Sequence, residues 1–127
     1  MKSELLYLWL KAGESETLDF KQTVAAHKIA RTLVAFANHK GGTILIGVAD
    51  NKQILGIDPA EELFVIETAA AKYCTPKVEI GYETFEEDDK NVLAIYVKEG
   101  NEKPYFALDR EGNPHAYLRE KDKNKIL

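Results

Sequence analysis

The chain has a single cysteine, Cys74. That excludes an internal disulfide and a cysteine-based zinc cage. Cys74 falls in an apolar helical pattern, where a small core residue is expected rather than a nucleophile. The three histidines, His27, His39 and His115, are too scattered for a metal motif. The apolar run Leu5–Leu10 is too short to span a membrane, and no small-residue cleavage site follows it. A cytoplasmic protein with no membrane association is therefore expected. Positive charge is not in excess either: the net charge is -4, which argues against a generally basic nucleic-acid binder. No Gly-Lys-Ser/Thr occurs, and the Gly41-Gly42 pair sits after a predicted helix and before a predicted strand. A P-loop or dinucleotide turn has the opposite order, so both are excluded. No Gly-x-Ser-x-Gly elbow is present, and Cys74 has no base candidate beside it.

What remains is 127 residues, 45% hydrophobic and 30% charged, the make-up of one globular domain with a full core. The charge is uneven. Residues 1–60 carry 7 Lys/Arg against 6 Asp/Glu, whereas residues 61–127 carry 10 against 15. A local basic face on the first half, or along Arg119–Lys125, is compatible with the acidic total.

Hydrophobic spacing predicts a helix over residues 3–11, ended by Ala12-Gly13. Leu18–Lys21 alternates as a strand, with Leu18 and Phe20 directed to the core and Asp19 and Lys21 sharing the other face. Thr23 is the expected N-cap of a helix over Val24–Asn38, whose buried stripe is Ala26, Ile29, Ala30, Leu33, Val34 and Ala37. His39 and Lys40 suit its negative end, and Gly41-Gly42 supplies the left-handed residue that stops it. Thr43–Val48 reads as an apolar strand, Asp50–Lys52 as a turn, and Gln53–Ile57 as the returning partner strand. Asp58-Pro59 opens a helix that runs to about Tyr73. Lys77–Phe85 and Asn91–Lys98 read as a hairpin, followed by short strands near Tyr105–Leu108 and His115–Arg119. No closing element is expected over Lys123–Leu127, as in a module of a longer protein. The order predicts a single α+β domain with a mixed, largely antiparallel sheet and helices packed on it.

Chemistry concentrates early. Glu14, Asp19 and Asp50 are three carboxylates, and Lys21 lies two residues from Asp19. An acid and a lysine so spaced on a strand can hold Mg²⁺ or Mn²⁺ and steady phosphate charge. Taken singly, each has an ordinary explanation: an exposed ion pair for Asp19 and Lys21, a solvated loop for Glu14, a turn for Asp50. Tyr73, Tyr105, Phe106 and Tyr117 read as core or sheet residues rather than base-stacking platforms. Arg119, at the end of a strand and before Lys121, Lys123 and Lys125, is a candidate phosphate contact.

Glu14-Ser with Leu18-Asp-Phe-Lys21, Ala35-Phe-Ala-Asn38 with Gly41-Gly42, Ile46-Gly-Val48 with Asp50, Leu55-Gly-Ile57, Lys103-Pro104 and Tyr117-Leu-Arg119 together resemble the Schlafen AlbA_2 domain, in the family's order and over nearly the whole chain. The resemblance implies a nucleic-acid-binding α+β domain, on DNA or RNA, of the type joined to a winged-helix segment in bacterial transcriptional regulators. Lys21, Lys40 and Arg119 would contact phosphate, and Gly41-Gly42 would let a backbone approach. The alternative it implies is an endoribonuclease acting on structured RNA such as tRNA. There Glu14, Asp19 and Asp50 would hold Mg²⁺ or Mn²⁺, with Lys21 assisting catalysis. A single lobe would need a second copy to form a clamp, which a homodimer would supply. The chain departs from the family pattern at Asp19, where glutamate is usual, and after Arg119, where Glu-Lys-Asp-Lys replaces a Gly-Ser-containing loop.

Overall fold

In a computed structural model that describes residues 2–127, three helices and eight strands run in the order α1 (Lys2–Ala12), β1 (Leu18–Lys21), α2 (Ala26–Ala37), β2 (Gly42–Ile46), α3 (Pro59–Lys72), β3 (Cys74–Thr75), β4 (Ile80–Glu87), β5 (Lys90–Val97), β6 (Phe106–Leu108), β7 (Pro114–Glu120) and β8 (Lys123–Ile126). The strands form two sheets rather than the one expected, ordered β1-β2-β5-β4 and β3-β6-β7-β8. Only β1 and β2 are parallel; the other pairs are antiparallel. The α+β class stands. Among the described residues no helix is long and apolar enough to cross a membrane.

The first sheet is covered on both faces, which is why β2 and β5 read as nearly unbroken apolar runs. Leu45, Val92 and Ala94 join Leu6 and Leu10 of α1 in one cluster. Ile44, Ile46, Leu93 and Ile95 face the other way and pack with Ile29, Leu33 and Phe36 of α2 and Ile66 of α3. That larger cluster also takes Cys74, Tyr105 and Ala107, so α2 lies between the two sheets. Burial pushes the Cys74 thiol up to about 12, in keeping with an inert core residue.

Two expected features differ. Gln53–Ile57 does not return as a strand beside β2; only an isolated bridge, Val48 to Ile54, forms. Both edges of β2 are already occupied, by β1 and by β5, and Gly47 at φ +104 turns the chain away. The charged end after Arg119 is a strand, β8, paired with β7 from Tyr117–Ile126 to Glu120–Lys123. The α3 start follows expectation: Asp58 accepts from the Ala60 and Glu61 N–H groups, with Pro59 in the first turn.

Candidate functional site

Alternation along β1 sends Leu18 and Phe20 into the α1 cluster. Asp19 and Lys21 therefore point to the side of α2 and the second sheet. That face is not open: Asp19 is 2% exposed. The residue that covers it is Arg119 of β7, equally buried at 2%. Its Nη2 lies 3.0 Å from Asp19 Oδ1 and 3.2 Å from the Leu18 carbonyl oxygen. Nε donates to the Ser15 carbonyl and Nη1 to Asn124 Oδ1. The guanidinium also stands 4.9 Å from the centre of the Phe36 ring, within cation–π range. Asn124 completes the bridge by donating to the Thr32 hydroxyl on α2.

The remaining carboxylate oxygen of Asp19, Oδ2, stands 2.9 Å from Lys21 Nζ. Glu14 stands beside it, accepting from the Phe20 backbone N–H at 3.0 Å. Burial, then the neighbouring Asp19 carboxyl, push Glu14 up to about 7. A proton on Glu14 lets the two acids share a hydrogen bond instead of repelling. For Asp19, burial acts upward, but the Glu14 hydrogen bond, Lys21 and Arg119 outweigh it and hold the carboxyl below its ordinary range.

The expected site residues thus separate into two groups. Glu14, Asp19, Lys21 and Arg119 meet. Asp50 is an exposed residue of the turn after β2, and no group of three or more His, Cys, Asp or Glu side chains that could hold a metal occurs among the described residues. The donor set does not suit Mg²⁺ or Mn²⁺. Both oxygens of Asp19 already face cations, and Asp50 is not beside them. Arg119, expected at phosphate, spends four of its five N–H donors inside the fold. It is the cluster's lock, not its contact surface.

Lys40 remains exposed, with Glu16 at 4.0 Å, a weak surface pair. Gly41 and Gly42 have a tight local reason to be glycine. Gly41 sits at φ +76, and a Cβ there would stand 2.6 Å from the Val97 oxygen. At Gly42 it would stand 2.8 Å from the Thr17 oxygen. These glycines let chain pass chain at the top of the sheet, so close packing accounts for them without a ligand.

Two cations that the sequence reading passed over complete the site. Thr23 does not cap α2. Its hydroxyl donates to Glu62 on α3, and the helix starts at Ala26, two residues past the expected Val24, behind Ala25 with no side-chain cap. Lys28 and Arg31, three apart on one helix face, line a cleft of about 380 Å³ with Lys21, Thr23 and Asn124. No carboxylate lines it. The helix spacing that revealed the buried stripe would have revealed this opposite, basic edge.

A family model for the Schlafen, AlbA_2 domain matches residues 14–127. The N-terminal domain of an ATP-dependent DNA helicase RecG-related protein from Nitrosomonas europaea, solved by NMR, superposes with a TM-score of 0.70 at 21% identity, covering 92% of this chain and 86% of that one. The crystal structure of the DIP2311 protein from Corynebacterium diphtheriae superposes with a TM-score of 0.62 at 16% identity, covering 99% of this chain and 27% of that one. At such identities the two structures show a shared fold. No curated protein matches the sequence.

Proposed function

This chain belongs to the Schlafen AlbA_2 family, and from that premise we propose that it is a nucleic-acid-binding module with a regulatory role. The carrying observation is local charge. In a chain of net charge -4, Lys28 and Arg31 have no ion-pair partner among the described residues and share a carboxylate-free cleft with Lys21. Such a grouping concentrates positive potential where the molecule as a whole is acidic. The name of the Nitrosomonas europaea neighbour, a DNA-helicase-related protein, agrees with a nucleic-acid partner.

The test is binding of labelled tRNA and duplex DNA across a salt series, with Mn²⁺ and with EDTA. Affinity that falls steeply with salt and is indifferent to metal is expected, because phosphate contacts release counterions. Salt-independent binding, or none at low salt, would remove this reading. Metal-dependent cleavage by the wild type, lost in an Asp19→Ala variant that thermal melts show to be folded, would replace it with the nuclease.

A further inference from the structure

We propose that the cleft between β1 and the start of α2 takes the phosphodiester backbone of a nucleic acid and reads no base. This rests on the function proposed above and specifies what its site recognises. Lys21, Lys28 and Arg31 surround the opening. Lys28 and Arg31 are exposed and form no ion pair among the described residues. Two carboxylates touch lining residues without lining the cleft: Asp19 holds Lys21, and Glu62 accepts from Thr23. The uncapped start of α2 adds partial positive charge on the same side.

Shape and lining decide between backbone and base. Base edges lie at the floor of the grooves of a duplex, where a protruding helix or ribbon reaches them. A concave basic cleft instead receives a protruding ridge, and the ridge of a nucleic acid is its phosphate backbone. An unstacked base would need an aromatic platform. The cleft has none: its apolar lining is Val24, Ala25 and Ile29. The Thr32 hydroxyl accepts from Asn124, and Asn124 Oδ1 accepts from Arg119, so these polar groups are occupied in holding the cleft's wall.

The experiment is fluorescence anisotropy of two labelled duplexes of unrelated sequence, with the intact chain and with the Lys28→Ala/Arg31→Ala variant, over a salt series. Inorganic pyrophosphate serves as competitor. Thermal melts confirm that the variant folds. Wild-type affinities within about twofold of each other are expected, since backbone contacts carry no sequence information. The variant should weaken both duplexes equally and reduce the salt slope by about two. Pyrophosphate should displace both. A preference of about tenfold or more for one duplex, equal to a discriminating base contact, would overturn the backbone assignment. So would a folded variant with unchanged affinity and slope, while leaving nucleic-acid binding itself in place. Absence of wild-type binding at low salt would instead remove the proposed function, and this inference with it.

Discussion

Arg119 and Asp19, 100 residues apart in the chain, meet at 3.0 Å with both side chains closed off from water. One belongs to each sheet. Their pairing therefore joins the two sheets across the edge strand β1, and the Arg119 fork to the Leu18 and Ser15 carbonyls occupies backbone acceptors there. The Leu18 carbonyl already accepts from the Ser15 N–H, so the guanidinium adds a second donor there and covers this stretch of the sheet edge.

Breaking this pair from either end should be costly, because the survivor stays buried without its partner. Arg119→Ala and Asp19→Ala should each destabilise the fold by about 3–5 kcal/mol, read as a lowered urea midpoint. Arg119→Lys should recover little, since one ammonium cannot reproduce the planar fork. Lys125→Ala, which removes the exposed pair with Glu120, should cost under about 1 kcal/mol. Equal midpoints for Arg119→Ala and Lys125→Ala would refute the structural weight given to Arg119.

The acid pair makes a pH prediction. Glu14 has its folded-state value raised from 4.5 to about 7, so it holds a proton more tightly folded than unfolded. The stability linked to it is full below about 4.5 and is lost as pH rises to about 7. Asp19, shifted down from 3.8, acts oppositely: its contribution is present above that value and is lost in acid. Glu14→Gln keeps an acceptor for the Phe20 N–H but cannot ionise. Melting temperatures of wild type and variant should diverge between pH 5 and 8, with the variant the flatter. Parallel curves would show that Glu14 does not titrate there.

Gly41 should resist substitution more than Gly112. Both have positive φ, +76 and +85, yet a Cβ at Gly112 meets nothing within 4 Å while at Gly41 it strikes the Val97 oxygen. Gly112→Ala should cost about 1 kcal/mol for the backbone conformation alone. Gly41→Ala should cost upwards of about 3 kcal/mol, because the clash adds to that strain. Chemical denaturation of the two variants separates the contributions, and similar losses would assign the whole effect to φ.

Asn38 carries a comparable load without any charge. Its amide donates to the Tyr105 and Tyr117 carbonyls and its oxygen accepts from the Tyr105 N–H. One side chain at the end of α2 thus satisfies three backbone groups beside β6 and in β7. Asn38→Ala should cost about 2–4 kcal/mol, as buried polar groups lose their partners. Amide exchange at Tyr105 should accelerate in the variant. Unchanged protection there would place the stabilisation elsewhere.

Local pattern was enough for much of the architecture. The period of Ile29, Leu33 and Ala37, the Asp58-Pro59 start and the alternation of Val92–Tyr96 each specify an element through neighbours a few residues away. The family motifs were legible for the same reason: they are short, ordered and contiguous. The β1 alternation even assigned Asp19 and Lys21 to one face. Whether that face met water or protein was not in the pattern, because burial is decided by what arrives from elsewhere in the chain. Arg119 reads as an exposed strand end until β7 is laid against α2, and Thr23 reads as a helix cap until α3 brings Glu62 to its hydroxyl. Short-range sequence thus determined the elements and the residue types available for chemistry. Tertiary structure alone decided which charges neutralise one another in the interior and that Lys28 and Arg31 stand at a cleft without an ion pair among the described residues. Ion pairing depends on distances of a few ångströms between residues far apart in the chain, and the packing of two sheets around α2 sets those distances.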